Sequence, residues 1–356
     1  MSNTPSAPPS ATHALIGMAA LPPGPSPWPT IDPFLFCVHH NDAYPAGNAD
    51  LGVAASLQGR HVGSDFSARD GWSMYHGDNV PGFPAHPHRG FETVTIVREG
   101  FIDHSDSAGA TARYGQGDVQ WLTAGAGIVH CEMFPMLNQD AGNPTELFQI
   151  WLNLPASHKM VPPHFTMFWH EAIPRTTVTD AAEHSTHVVC VAGQVAGLQG
   201  LAPPPDSWAS QAQGDVAIAT IRMQPHARWT LPASSGAKTL RMLYCMGGAG
   251  VRLEGPEGQT LPPNHVAQLH GPVACELVNG DAEVELLLLQ AAPIGEPVAQ
   301  YGPFVMNTQA EIHQAFADYR RTEFGGWPWP TQDPVHPREQ GRFALFTNGE
   351  RQEPTT

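Results

Sequence analysis

Two short stretches of the sequence carry side chains that could bind a metal ion. His86 and His88 lie two residues apart in "FPAHPHRGFET", and His130 and Glu132 lie two residues apart in "GDVQWLTAGAGIVHCEM". Side chains at i and i+2 of a β-strand point to the same face of the sheet, so each pair could present two ligands to one point. A single H-x-H pair arises easily by chance among 19 histidines. The second pair strengthens the case, because three imidazoles and one carboxylate suit a first-row transition metal.

The elements that must position these residues read as strands. Short β-branched and aromatic runs alternate with turn clusters, as in "FETVTIVREG", "GQGDVQWLTAGAG" and "ELFQIWLNLP", and a second series includes "HVVCVAG", "DVAIATIRM", "KTLRMLYCMGG" and "AEVELLLLQAAP". The 356 residues exceed the ~250–300 at which one hydrophobic core stops growing. We therefore predict an all-β protein with two β units in tandem.

The domain boundaries follow from composition. Residues 1–33 are rich in proline and small residues and predict a loosely ordered arm. We assign 34–180 to a first barrel, 181–300 to a second barrel, and 301–356 to a C-terminal helix and a surface tail. The helix is indicated by a T-x-x-E capping box at Thr308 and Glu311, followed by Ile312, Ala315, Phe316 and Tyr319 at helical spacing.

Charge and cysteine content exclude several classes of protein. A formal net charge of −16 disfavours direct nucleic-acid binding, and the five cysteines are widely spaced and form no C-x-x-C pair. No Lys or Arg precedes Arg60, and no apolar run approaches the ~18 residues of a membrane span. These features predict a cytoplasmic protein without a membrane segment, and they leave the oligomeric state open.

Four segments together resemble the pirin family of bicupins. They are "HPHRGFET", "GDVQWLTAGAGIVHCEM", "LFQIWLNLP" and "YGPFVMNT", in the order found in that family. The resemblance implies two tandem antiparallel β-barrels, each a double-stranded β-helix or jelly roll, with one divalent metal in the first barrel only. It implies His86, His88, His130 and Glu132 as ligands, and we expect Fe(II) ahead of Mn, Ni, Cu or Zn.

Glu92 is the alternative carboxylate. In cupins generally, the glutamate that follows H-x-H is the usual ligand, and Glu92 shares the strand parity of His88 if no bulge intervenes. In pirins the carboxylate follows the last histidine by two residues, so the resemblance favours Glu132 and leaves Glu92 a supporting or structural role.

For the other residues that could take part in a site, we expect structural or surface roles. We expect His39, His40, His61 and His76 to be surface or loop residues, Trp121 and Trp151 to be core residues, and Cys131 to pack on the strand face opposite the ligands. The histidines of the second series, His226, His265 and His270, form no ligand pair, so we expect that barrel to bind no metal.

The sequence departs from the pirin pattern by a long insertion, at about residues 38–82. We predict that it forms a lid over the open metal positions, with Trp72, Tyr75 and His76 facing the substrate. A surface loop without a function is the alternative.

The resemblance implies quercetin 2,3-dioxygenase-type activity on a small aromatic enol, with O2 as co-substrate. Glu132 would then be a metal ligand, or the catalytic base that takes the substrate's hydroxyl proton. The alternative is a metal- or redox-responsive regulatory protein that acts through a protein partner. A non-oxygenase cupin such as an isomerase would use the same ligands.

Overall fold

A computed structural model describes residues 13–255 and 258–355 of the chain. The described residues form 26 strands, one α-helix and five short 3₁₀ helices. No helix among them is both long enough and apolar enough to cross a lipid bilayer. The predicted all-β class is confirmed.

The strands have the following bounds in chain order: β1 Leu15–Ala20, β2 Phe34–Tyr44, β3 Gly82–His88, β4 Phe91–Glu99, β5 Phe101–Asp106, β6 Thr111–Gly115, β7 Val119–Thr123, β8 Ile128–Met133, β9 Asn143–Asn153, β10 His164–Phe168, β11 Arg175–Thr179, β12 Ser185–Ala192, β13 Gln194–Val195, β14 Leu198–Gln199, β15 Ala217–Met223, β16 Arg228–Leu231, β17 Leu240–Cys245, β18 Val251–Leu253, β19 Gln259–Leu261, β20 His265–His270, β21 Cys275–Asn279, β22 Val284–Ala291, β23 Ala299–Tyr301, β24 Phe304–Met306, β25 Phe343–Leu345 and β26 Arg351–Gln352. The helix α1 is Gln309–Thr322, and the 3₁₀ helices are Arg69–Gly71, Ala156–His158, Trp208–Ser210, Ala212–Gly214 and Glu323–Gly325.

The chain divides into two compact units. The first-barrel unit contains residues 22–173, 201–211 and the described residues from 294 onward. The second-barrel unit contains the described residues up to 21, together with 174–200 and the described residues of 212–293. Each unit is therefore assembled from three separate segments of the chain.

The first-barrel unit is built from two antiparallel sheets. One has the strand order β10-β7-β4-β9-β2, and the other has the order β26-β25-β6-β5-β8-β3. Leu122 and Leu147 of the first sheet and Ile102 and Tyr114 of the second are buried in one hydrophobic cluster. This arrangement is a closed jelly roll whose two sheets share a core.

The second-barrel unit has the same plan with different strands. Its sheets have the orders β1-β20-β17-β22-β15-β12-β11 and β16-β21-β18-β19. Alternate residues of the central strands face a common core, for example Leu286 and Leu288 of β22 and Leu243 of β17. The predicted bicupin architecture is confirmed.

The N-terminal arm is a correction to the sequence analysis. Leu15–Ala20 form β1, which pairs with β20 at the edge of the seven-stranded sheet. The strand buries little side-chain surface, so no apolar alternation marks it. Pairing at a sheet edge uses backbone N–H and C=O groups, so it needs no pattern of apolar side chains. Residues 1–12 of the predicted arm lie outside the described residues.

The C-terminal helix is confirmed, including its cap. The Oγ1 atom of Thr308 accepts a hydrogen bond from the backbone N–H of Glu311, and the Glu311 carboxylate accepts one from the backbone N–H of Thr308. The helix buries Ile312 and Ala315 against the β23–β24 hairpin.

The tail is more ordered than its proline content indicates. Phe343–Leu345 form β25, which pairs with β6, and Arg351–Gln352 form β26, which pairs with β25. The buried Arg113 of β6 donates hydrogen bonds to the backbone oxygens of His336, Pro337 and Gln340. A buried cation thus fixes a proline-rich segment that local sequence cannot assign.

Candidate metal centre

The strand β3 is shaped by two glycines and a bulge. Gly82 opens the strand at φ +132°, where a Cβ would overlap the backbone of β8, and Gly90 turns the chain after it at φ +85°, where a Cβ would overlap the Val305 carbonyl. Between Phe83 and His86 the register slips, because Phe83 pairs with Glu132 and His86 pairs with His130. One extra residue in β3 therefore lets Phe83 and His86 face the same side despite their odd spacing.

The structure brings three of the four predicted ligands together. The ligand atoms of His86, His88 and His130 all lie within 4.8 Å of one another. The ring centroids are 4.5 Å apart for His86 and His130, 4.7 Å for His86 and His88, and 4.9 Å for His88 and His130. Two adjacent antiparallel strands thus direct three imidazoles to one point.

The protonation of these histidines suits metal binding. Burial lowers the pKa of His86 to about 4, and burial first, then neighbouring histidines, lower the pKa of His88 and His130 well below the usual value. All three rings are therefore neutral near pH 7. The Nδ1–H of His86 donates to the Pro84 carbonyl at 2.8 Å, which leaves its Nε2 as a lone-pair donor to a metal.

Unpartnered nitrogens give a second indication. Nδ1 of His88 and both ring nitrogens of His130 are buried without any hydrogen-bond partner. Buried polar atoms in proteins nearly always have a partner, since leaving one without costs about 1–3 kcal/mol. A transition-metal ion would supply that partner, so the donor set fits a resident metal.

Glu132 lies beside the three histidines and is held by two neighbours. Its Oε2 accepts a hydrogen bond from the Gln149 side-chain amide at 2.7 Å, and its Oε1 accepts one from the Thr95 hydroxyl at 3.1 Å. Burial raises the pKa of Glu132, while His104 and these two hydrogen bonds oppose the rise. Glu132 is not part of the three-histidine cluster, so its role as a fourth ligand stays a prediction.

A cavity of about 510 Å³ opens beside the cluster. His86, His88 and Glu132 line it, and His130 lies behind them, fully buried. The aromatic side chains of its wall are Phe36, Phe66, Phe83, Phe134 and Trp151, and its other polar side chains are His40, His76, Thr95 and Gln149. This volume and this lining suit a flat aromatic ligand.

Glu92 faces away from the histidines. The parity argument that linked it to His88 does not apply, because β3 ends at His88 and the chain turns before β4 begins. Its carboxylate accepts hydrogen bonds from the Thr123 hydroxyl at 2.7 Å and the Ser207 hydroxyl at 2.5 Å. Glu92 therefore anchors residues 201–211 within the first-barrel unit.

The insertion differs in part from its prediction. Its first residues belong to β2, which runs to Tyr44 and pairs with β9. His76 lines the cavity as expected, whereas Trp72 and Tyr75 are packed in the hydrophobic core and do not line it. Phe66 lines the cavity and was not predicted, because the course of an irregular segment cannot be read from its residues.

Burial and the cavity lining also test the predicted positions of other residues. His40 is buried and lines the cavity rather than lying at the surface, and Trp151 lines the cavity as well as contacting Phe91 in the core. His61 is exposed as expected. Cys131 packs with apolar residues on the opposite face of β8, which confirms its prediction.

Thr95 and Gln149 were missed by sequence reasoning. Both are among the polar residues that interrupt the strand segments "FETVTIV" and "ELFQIWLNLP". That interruption is the only signal the sequence offers, and it does not say which partner they bind. The buried His104, which pairs across the sheet with Glu132, was missed for the same reason.

Comparisons with known proteins agree with the fold. Residues 28–152 match the family profile described as Pirin, and residues 218–325 match the Pirin C-terminal cupin domain. The chain is 36% identical over 245 residues to pirin-like protein 2 of Arabidopsis thaliana, covering 67% of this chain and 69% of the relative. It is 32% identical over 253 residues to pirin of Homo sapiens, covering 70% and 80%.

A solved structure gives the same result in three dimensions. The crystal structure of quercetin 2,3-dioxygenase from Acinetobacter baumannii superposes with a TM-score of 0.68 and 25% sequence identity, covering 89% of this chain and 99% of that one. Both family models match the chain, and the relatives are 36% and 32% identical to it, so the chain belongs to the pirin family.

Proposed function

We propose that this pirin is a metal-dependent dioxygenase of the quercetin 2,3-dioxygenase type, which cleaves a flavonol or a related enol with O2. The observation that carries the proposal is the cluster of three neutral, buried histidines at the wall of an aromatic cavity. The similarity to the Acinetobacter baumannii quercetin 2,3-dioxygenase supports the reaction type.

His86, His88 and His130 would hold one divalent transition metal, with Fe(II) as our first expectation. When bound, such an ion acts as a Lewis acid that lowers the pKa of a coordinated hydroxyl group and makes the substrate electron-rich. The three rings contribute no charge, so the ion keeps its full positive charge toward the substrate.

Glu132 is the residue that we assign to proton transfer. It lines the cavity beside His86 and His88, and its pKa is raised by burial, which makes the carboxylate a better proton acceptor. The Gln149 amide donates to one carboxylate oxygen at 2.7 Å and fixes its orientation, while the Thr95 hydroxyl shares its one hydrogen between the other carboxylate oxygen, at 3.1 Å, and the Gln149 amide oxygen, at 2.8 Å. Each oxygen retains a free lone pair for the proton of a substrate hydroxyl.

The aromatic wall would hold the flat substrate and exclude water. Trp151 lies 5.3 Å from the His88 ring and 4.3 Å from the Phe91 ring, measured between centroids. Phe83 lies 6.4 Å from the His86 ring. Aromatic rings on both sides of the histidine pair favour a planar substrate, because stacked and edge-on ring contacts each stabilise the complex.

The test combines elemental analysis of the purified protein with oxygen-uptake assays on quercetin. We expect about one transition-metal ion per chain and quercetin-dependent oxygen consumption that is lost when the metal is chelated and restored when it is returned. A metal-loaded protein that consumes no oxygen with quercetin or other flavonols would contradict the dioxygenase proposal and leave the regulatory alternative.

A further inference from the structure

The segment between β2 and β3, residues 45–81, contributes two side chains to the cavity. We call it the insertion segment. Its Phe66 and His76 both line the cavity, and their rings meet edge to face with centroids 5.1 Å apart. Phe66 keeps 42% of its surface exposed.

The insertion segment is held firmly in place. The backbones of Asp65 and Tyr75 exchange two hydrogen bonds of 2.8 Å. The Asp65 carboxylate binds the Arg60 guanidinium at 2.8 Å, and that guanidinium stacks 3.4 Å from the centre of the Trp72 ring. The Tyr75 hydroxyl donates to Asp42 of β2 at 2.7 Å. These contacts fix the residues on both sides of the cavity-lining pair.

A further contact determines which ring nitrogen of His76 carries a hydrogen. Its Nδ1 lies 2.9 Å from the Gly63 carbonyl oxygen. A carbonyl only accepts, so Nδ1 carries the hydrogen, and in the neutral ring Nε2 is left as a hydrogen-bond acceptor. The backbone N–H of His76 donates to the Gly82 carbonyl at 3.0 Å, which ties the residue to the start of β3.

One aromatic ring lies between His76 and the three-histidine cluster. The Phe83 ring lies 5.8 Å from the His76 ring and 6.4 Å from the His86 ring. A planar molecule packed on Phe83 therefore reaches both groups, with one end at His86 and another edge at His76. The side chains beside His76 in this part of the wall, Phe66 and Phe83, are apolar, so the His76 ring is the polar group that they leave for a hydroxyl on the bound molecule.

We propose that His76 determines substrate specificity, by accepting a hydrogen bond at Nε2 from a hydroxyl group remote from the metal-bound end of an aromatic substrate. Phe66 and Phe83 hold the ring that carries this hydroxyl. This inference rests on the proposed function and deepens it, because it selects polyhydroxylated over unsubstituted flavonols. A site built to receive a hydroxyl discriminates against an analogue that lacks it.

The test measures binding of two flavonols to the metal-loaded protein without oxygen. Quercetin carries hydroxyls remote from its 3-hydroxyl, and 3-hydroxyflavone carries none. We expect His76→Phe to raise the dissociation constant of quercetin by about 3- to 12-fold, as for one lost hydrogen bond, and to leave that of 3-hydroxyflavone within about twofold. The matched control is His61→Phe, an exposed histidine of the same segment that does not line the cavity.

A second variant guards against a merely structural effect. His76→Gln retains an acceptor, so we expect it to recover part of the preference for quercetin. A His76→Phe variant that weakens both flavonols equally, or neither, overturns the inference. Oxygen uptake by the unmodified protein is followed in parallel, so failure of the dioxygenase proposal is seen as absent uptake, separately from the ratio of the two dissociation constants.

Discussion

The two barrels share one architecture, but different kinds of side chain line their interiors. In the second-barrel unit, the inward positions of β20 and β22 are occupied by Ala267, Leu269, Leu286 and Leu288, all fully buried in one apolar cluster. In the first-barrel unit, the inward positions of β3 and β8 carry histidines and a glutamate, and a cavity of about 510 Å³ lies against them.

A polar lining lowers the stability of a barrel and provides groups that can bind a ligand. Leucine and alanine at alternating positions fill a small barrel and stabilise it by removing apolar surface from water. Imidazoles without partners destabilise the metal-free barrel, because they give up hydrogen bonds to water. The first-barrel unit compensates with an apolar cluster that includes Leu122 and Phe165 and that borders the cavity at Ile102. One barrel is thus committed to packing, and the other divides its interior between packing and chemistry.

The largest expected effect comes from removing two of the clustered histidines. We expect the double variant His86→Ala, His130→Ala to lose metal affinity by more than about 100-fold, beyond the cost of altering residues that only support a ligand, and to lose oxygen uptake with it. Elemental analysis after dialysis measures the first effect. The matched control is His265→Ala, His270→Ala on β20, which should leave the metal content unchanged. Metal retained at one ion per chain in the first double variant would refute the assignment.

The next effect separates the two roles considered for Glu132. We expect Glu132→Gln to lower kcat by about 100- to 10,000-fold, as loss of a general base does, while the metal content stays near one ion per chain. Glu146→Gln on β9 is the control, because its carboxylate binds His39 and Arg98 instead of lining the cavity. A large loss of metal in Glu132→Gln would identify the residue as a ligand instead.

Leucine truncation compares the two interiors directly. Leu288→Ala should lower the free energy of unfolding by about 3–5 kcal/mol, because it opens a cavity in a filled core. Leu147→Ala should cost only about 2–3 kcal/mol, because one side of Leu147 faces an existing cavity instead of packed side chains. Urea unfolding of the metal-free proteins measures both. Equal costs would show that the cavity does not reduce packing around Leu147.

The last effect concerns Glu92 and depends on pH. Burial raises its pKa to about 7 from 4.5, so the folded state holds a proton that the unfolded state has released. The resulting stabilisation is complete below pH 4.5 and is lost as the pH rises through 7. Glutamine does not titrate, so the stability advantage of the wild type over Glu92→Gln should fall by on the order of 3 kcal/mol between pH 4.5 and 8. Glu99→Gln, at the exposed end of the same strand, is the control, and a pH-independent difference for Glu92→Gln would contradict the expectation.

Features that depend on a few consecutive residues could be predicted from the sequence. Strand geometry alone predicts that His86 and His88 face the same side, and likewise His130 and Glu132, because each pair lies two residues apart. The capping box at Thr308 needs only four residues. The turn glycines and the alternating runs likewise indicated strands and a two-unit β protein.

What could not be predicted depends on pairing between distant segments. Gln149 supports Glu132 only because β9 lies inside the five-stranded sheet, and the strand order is not encoded in either segment. His40 lines the cavity because β2 occupies the edge beyond β9, although its sequence reads as an exposed loop. The strands β1 and β25 likewise form only because remote partners offer them free backbone groups.

The pairing of β25 with β6 also constrains how the protein is made. Residues 343–345 complete a sheet whose next strand is residues 111–115, so more than two hundred residues must leave the ribosome before that edge is covered. Until then β6 offers unpaired amide and carbonyl groups in an unfinished sheet, the type of edge that recruits other chains. Translation and edge protection are therefore coupled in time, and a chain that stops short of residue 343 would leave the first barrel open to aggregation.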